Sequence, residues 1–353
     1  AIDIYSRAVS DVYQDLFGEG IFTGKGAYDV AAFRRATEGR VPDNAVLSHD
    51  LFEGLHGRTA LASDIVLYED FPSDLLGYAR RSHRWIRGDW QLLPWLGSKV
   101  PGADGTARLS SRFDLLDRWR IADNLRRSLI APGLTLLAVA GWLVLPGQAW
   151  LWTLLTIAAP GAYLFTDLVT SLARGRRRGT VRGRLRGQRD HAGRWLLAIV
   201  FMLYDAVVAV DAIGRSLWRM YFSHRQMLEW TTAAQIAHAD HRGALRYWRE
   251  MWVAPTLALL LTLLILAVDP IAFAGAAPLL ALWFISPAIA AWIERPIASR
   301  SENLGIEDQA FLRQIARRTW YFFEVFAGPE DNWLPPDNYQ VDPRPEIAHR
   351  TSP

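Results

Sequence analysis

No cysteine occurs among the 353 residues, which excludes disulfides and thiolate metal sites. An excess of one charge sign is nearly absent too: a formal net charge of +3 and a pI near 9.2 do not favour a nucleic-acid binder. Four long stretches carry no charge at all: residues 128–146, 148–166, 252–268 and 271–293. At ~1.5 Å per residue the first two each extend about 28 Å, close to the hydrocarbon thickness of a bilayer. The sequence opens without an initiator Met and without the zones of a signal peptide, and "AHRTSP" at its end carries no stop signal. We therefore expect both termini to be cuts in a longer chain.

What is present divides into three parts. Residues 1–127 alternate short apolar runs, such as "NAVLSHDLF", with glycine-rich turns, which predicts a mixed α/β region. Residues 128–293 predict a helical membrane region with two hairpins, spans 128–146 with 148–166 and 252–268 with 271–293. Between them, residues 174–194 hold nine arginines and one aspartate, expected as a cytoplasmic loop near anionic headgroups. The stretch 195–214 is apolar enough to span but carries Asp205 and Asp211, and a fifth span would export the arginine-rich residues 215–251. It is expected as an interfacial helix over about 195–230, anchored by Arg215, Trp218, Arg219 and Arg225, with a true fifth span as the alternative. Residues 294–353 return to polar sequence, with a helix near 307–328 and then a Pro-rich, extended segment.

Four motifs bear on chemistry. "FGEGIFTGKGAYDV" (17–30) has four glycines but fits neither a Walker loop nor G-x-G-x-x-G, leaving a flexible turn or a loop that approaches a ligand closely through Lys25. In "NAVLSHDLFEG" (44–54), Ala45–Leu47 reads as a strand. Asp50 is then either the N-cap of a D-x-x-E capping box or a strand-end carboxylate able to act as a general base. "RRSHRWIRGDWQLLPW" (80–95) reads as a helix with Arg80, Arg84 and Arg87 on one face and Arg81 paired with Trp85 beside it. It suits a membrane interface as well as an anionic, sugar-bearing ligand, with Trp90 and Trp95 expected at the interface. "HADH" (238–241) places His238 and His241 at i, i+3, a weak metal signal that a solvated helix face also explains.

In chain order, "FTG" (Phe22, Thr23, Gly24), "SHD" (Ser48, His49, Asp50) and "RSHRW" (Arg81, Ser82, His83, Arg84, Trp85) before an apolar hairpin resemble the cellulose synthase type of processive membrane glycosyltransferases. Asp50, Arg84 and Trp85 match that family's motifs directly. Ser48, His49 and Arg81 depart from them. The runs "SRAVSDVYQDLFGEGIFTGKGAYDV", "SHDLFEG", "YEDFPS" and "HRWIRGDWQLLPWL" more narrowly resemble the glycosyltransferase region of cyclic β-1,2-glucan synthases. "NWLPPDNYQ" and "AHRTSP" are similar to the entry into their phosphorylase-like domain.

The resemblance implies the acceptor half of a GT-A-like α/β domain followed by transmembrane helices, in a multi-pass bacterial inner-membrane enzyme with cytoplasmic soluble parts. UDP-glucose would donate glucose with inversion to a growing β-1,2-glucan. Asp50 would be the base, and Arg84, Trp85, Arg81, His83, Phe22, Thr23, Gly24 and Lys25 would hold donor and acceptor. Mg or Mn would be bound by a D-x-D motif that this chain lacks, so its ligands are expected upstream, and none is expected here. Membrane lipids are expected partners and nucleic acid is not. A transporter or lipid-anchored scaffold without catalysis is the alternative.

Overall fold

The computed structural model describes residues 10–22, 24, 26–47, 49–62, 65, 72, 74–105, 108–162, 181–229, 243–295, 304–342 and 344–350. They form two compact units, Ala1–Arg295 and Pro296–Pro353.

The first unit is mostly helical. Its N-terminal part holds α1 (Ser10–Phe17), α2 (Val30–Thr37), α3 (Asp50–Gly57) and α4 (Leu75–Gln91). A 3-10 turn (Leu93–Leu96) leads to an antiparallel pair, β1 (Lys99–Pro101) and β2 (Arg108–Ser110), and then to α5 (Leu115–Ser128). A GT-A-like α/β domain is not seen among the described residues. The expected strand at Ala45–Leu47 does not form, because the Leu47 N–H is bonded to the Gln91 side chain at 2.6 Å instead of entering a ladder. Phe52, Leu55, Leu92, Trp95, Phe113 and Ile121 make the core here. Trp95, read from sequence as an interface residue, is buried in that core, edge-on to Phe52 at 4.9 Å between ring centres.

The apolar sequence forms a helical bundle. Its elements are α6 (Ile130–Leu143), α7 (Ala149–Ala158), α8 (Val181–Trp218), α9 (Ala244–Glu250), α10 (Val253–Val268) and α11 (Pro270–Ile293). Residues 181–194, expected as loop, are the first part of α8; arginine is a good helix former and the apolar run that follows carries the helix on. Residues 174–180 lie outside the described residues. Small residues let these helices approach closely: Ala138, Ala254, Ala258 and Ala276 are buried around Trp142 and Trp283. Two of the bundle's indoles donate to backbone carbonyls, Trp283 to Ile199 at 3.1 Å and Trp195 to Ile157 at 2.7 Å, and Trp142 donates to Thr153 Oγ1 at 2.9 Å.

By length and composition, two helices among the described residues suffice to cross a membrane, Arg189–Ser223 and Pro270–Ile293. A third does so if α9 and α10, bent by 64° at their junction, act as one span. The stretch 128–146 forms only a 14-residue helix, because Leu129 closes α5 before α6 begins and Gly147, at φ +103, turns the chain after it. The stretch 148–166 forms the 10-residue α7 and a short 3-10 turn, its remainder past Ala162 lying outside the described residues. Residues 195–214, expected at the interface, lie within the first qualifying helix, with Ile199, Met202 and Leu203 in the bundle core.

Gly275 shows how tight the bundle is. A Cβ there would stand 2.5 Å from the backbone N of Trp150, which no rotamer change relieves. Gly275→Val is expected to destabilise the fold by about 1–3 kcal/mol through overpacking. Gly133→Val, with open space around it, serves as the control in thermal unfolding of the detergent-purified chain.

The second unit carries α12 (Ile306–Phe326), a 3-10 turn (Pro329–Asp331) and a two-residue antiparallel pair, β3 (Tyr339–Gln340) with β4 (Glu346–Ile347). Phe326 stacks on Tyr339, and His349 meets Asp331 at 2.8 Å.

Candidate functional site

Asp50 opens α3, but it is not the cap. His49 holds that place in helical geometry, with no side-chain cap, and its Nδ1 lies 3.0 Å from Glu53 Oε1. The Asp50 carboxylate is left half-exposed and turned toward the glycine loop. Gly24 sits at φ +89, where L side chains are rare, and a Cβ on it would stand 3.0 Å from Asp50 Oδ2. Glycine is required there for conformation and for space. Phe22 wedges the loop onto α3: its Cβ would be 2.8 Å from a Cβ on Gly54, and its ring flanks Gly26. The structure thus sets Gly24 against Asp50 and Phe22 against Gly54, so that the loop meets α3 at two points. Thr23, Lys25 and Ser48 lie outside the described residues, as do His238, Asp240 and His241.

The loop is strapped down behind this contact by groups that the motifs did not reveal. Gly20 N–H donates to Thr59 O at 2.7 Å, and the Gln14 amide bonds Leu61 through both its ends. Glu19 is held by Arg58 and, at 3.1 Å, by the buried Arg120 of α5, whose guanidinium also lies 4.9 Å over the Tyr13 ring. The one sequence signal was the D-x-x-D of Asp114 and Asp117, which caps α5 reciprocally and so fixes where Arg120 points.

Helix α4 carries the arginine-tryptophan motif. Asp74 caps it through Gly77 N, and Arg80 meets Glu250 of α9 at 2.6 Å. One face then runs along α8 and the turn after it. His83 Nε2 lies 2.9 Å from Asp211, Ser216 Oγ donates to Arg87 O at 3.0 Å, and Gln91 Nε2 donates to Met227 O at 3.0 Å. Burial holds the His83 imidazole below its ordinary value, against the opposing pull of Asp211. The half-buried Arg81 lies 4.4 Å over the exposed Trp85 ring, a cation-π pair. Because Leu47 N–H is bonded to Gln91, the segment before Asp50 is tied to the C-terminal end of α4. Arg84 and Trp85 lie six or seven residues back along it, about 10 Å at 1.5 Å per residue. The structure therefore brings together Phe22, Gly24 and Asp50, separately pairs Arg81 with Trp85, and gives His83 to α8.

The opposite side of α4 meets α5. Asn124 Nδ2 donates to Asp89 Oδ1 at 2.9 Å, and Trp90, also read as an interface residue, donates to Ser128 Oγ at 2.9 Å. Burial pushes the Asp89 carboxyl from 3.8 up to about 7, with Asn124 pulling the other way. Below pH 3.8 the group is neutral in both folded and unfolded chains. Between 3.8 and 7 the unfolded chain ionises first, so stability falls as pH rises, and the loss is complete above 7. Asp89→Asn is therefore expected to stabilise the protein more at pH 8 than at pH 5, read from thermal midpoints at the two values.

One set of metal-type donors comes together among the described residues: His49, Asp50 and Glu53, with ligand atoms within 4.8 Å of one another. The set is a poor match to Mg or Mn, which prefer oxygen ligands, because one of its three donors is an imidazole already engaged by Glu53. No buried, unpartnered polar atom belongs to these three residues.

No family model matches the chain. Over its whole length it is 43% identical to the cyclic beta-(1,2)-glucan synthase NdvB of Rhizobium meliloti (strain 1021). The match runs from one end of the chain to the other. It spans 12% of the length of that synthase. The similarity to that synthase takes in the glycine loop, Asp50, α4 and the apolar bundle alike, since the match covers the entire chain.

Proposed function

We propose that this chain is the acceptor-side and membrane portion of a glucosyltransferase that builds a β-1,2-glucan from UDP-glucose. The observation that carries the reading is the contact between the Asp50 carboxylate and Gly24, in a chain 43% identical throughout to a glucan synthase. A general base needs a half-exposed carboxylate within about 2.6–3.2 Å of a hydroxyl, beside backbone that a sugar can approach closely. Asp50, half-exposed at the open end of α3 and set against a glycine loop, offers such a carboxylate.

In this reading Asp50 takes the proton of the acceptor 2-hydroxyl. Arg84 binds the donor diphosphate by charge-assisted hydrogen bonds, and Trp85, backed by Arg81, presents a flat face to a glucose ring. His83 acts from behind, fixing α4 on α8. Thr23 and Lys25 of the glycine loop complete the contact with the sugars. A Mg or Mn ion would neutralise the leaving diphosphate, on ligands from outside this chain within a GT-A-like fold. The apolar helices would set the enzyme in a bacterial inner membrane as a multi-pass protein with its soluble parts cytoplasmic, touching membrane lipids and no nucleic acid.

The test is incorporation of labelled glucose from UDP-glucose by the full-length protein, followed by linkage analysis. β-1,2-Linked glucan is the expected product, and Arg84→Ala is expected to weaken UDP-glucose binding at least tenfold, the worth of one charge-assisted hydrogen bond. Failure to make glucan would leave a transporter or scaffold reading in its place.

A further inference from the structure

At the C-terminal end of α8 the helix widens into a π-turn, Arg219–Ser223, a form that concentrates at functional sites. The backbone beyond it is unusual as well: His224 at φ 49 and Gln226 at φ 56 are both left-handed without being glycine. Beside this turn lies an open surface cavity of about 490 Å³ lined by Arg215, Trp218, Arg219, Ser223, Arg225 and Gln226. Volumes of this size accommodate a small organic ligand.

Its charges do not cancel. Arg215 is paired with Asp211 at 2.7 Å and Arg219 with Glu229 at 2.7 Å, while Arg225 has no carboxylate partner among the described residues. Behind them Arg87 is buried, reaches only the Met227 carbonyl at 3.4 Å, and its Nε has no partner. Guanidinium groups gathered around open space repel one another unless an anion sits between them. The aromatic side of the cavity is equally specific. Trp218 is exposed and stacks on Phe222 at 4.8 Å, with exposed Tyr221 beside it, at the end of a helix apolar enough to cross a membrane. Arginines and aromatic rings at that level are placed for the headgroup layer.

We propose that this cavity is a binding site for a phosphate-bearing ligand, gripped by Arg215, Arg219 and Arg225 with Ser223 and Gln226 as neutral donors, and flanked by the Trp218 ring. Two sources supply that chemistry, the headgroup of an anionic phospholipid and a soluble diphosphate. The full chain in nanodiscs separates them. One arm measures retention of phosphatidylglycerol against phosphatidylcholine by native mass spectrometry. The other measures pyrophosphate affinity by calorimetry in phosphatidylcholine discs. Arg225→Gln is the decisive variant, because Arg225 is exposed and its loss breaks no ion pair, and Arg225→Lys tests rescue by charge.

We expect Arg225→Gln to lower retention or affinity about tenfold or more in one arm, and Arg225→Lys to restore much of it. Loss confined to phosphatidylglycerol assigns the headgroup; loss confined to pyrophosphate assigns the soluble source. Unchanged binding in both arms for Arg225→Gln and Arg219→Gln alike overturns the proposal. Neither arm reads glucan synthesis, so the outcome is independent of the transferase reading.

Discussion

Asp50→Asn is expected to lower glucan synthesis from UDP-glucose by about 10²- to 10⁴-fold, the contribution of a positioned general base. Asparagine has nearly the shape of aspartate, so it still fits against Gly24, and His49 and Glu53 keep their own contact at 3.0 Å. The fold should be unmoved and UDP binding retained, because the change removes a proton acceptor and leaves the α4 side chains in place. Circular dichroism and UDP affinity on the same preparation separate a chemical loss from a folding loss. Undiminished synthesis by a folded Asp50→Asn protein would remove Asp50 from the mechanism.

Arg120→Met is expected to cost about 3 kcal/mol of stability, the lower end for breaking a buried ion pair from one side. The arginine side chain is 4% exposed and Glu19 15% exposed, so the carboxylate left behind is poorly hydrated. Arg58, which is mostly exposed, offsets part of the loss. The cost should therefore fall when the stranded charge is also removed: Glu19→Gln with Arg120→Met is expected to be more stable than Arg120→Met alone. Thermal or denaturant unfolding of the native chain and the two variants decides the matter, and an Arg120→Met protein as stable as the native chain would show that the pair does not hold the loop. Activity should fall with it, since Glu19 sits between Gly18 and Gly20 at the root of the loop that meets Asp50.

Much of this was legible in the sequence because the signals were local. The charge-free stretches announced apolar helices, and the spacing of Arg80, Arg84 and Arg87 announced α4. The association of Phe22, Gly24 and Asp50 followed only from resemblance, since nothing local joins residues 26 positions apart. What failed did so for physical reasons. Ala45–Leu47 has strand composition but no neighbouring strand, so a side chain takes its amide. Asp205 and Asp211 argued against burying α8, yet its other faces supply Ile199, Met202 and Leu203 to the bundle core, and Asp211 is paired with both His83 and Arg215. Trp95 reads as an interface residue beside so many arginines, but the 3-10 turn that follows α4 swings it inward onto Phe52. Glu19 and Arg120 are 101 positions apart, and no pattern along the chain pairs them.

Gln91 connects two segments that neither its helix nor its neighbours would bring together. Its carbonyl oxygen accepts from Leu47 N–H and its amide nitrogen donates to Met227 O, so a single side chain answers one donor and one acceptor from opposite directions. A carboxylate there would turn a lone pair on the Met227 carbonyl, a lysine would offer nothing to Leu47, and a leucine would satisfy neither. The position is thus a two-sided lock whose key must carry both polarities at one length, which makes its tolerance for replacement narrower than that of the arginines on the same helix.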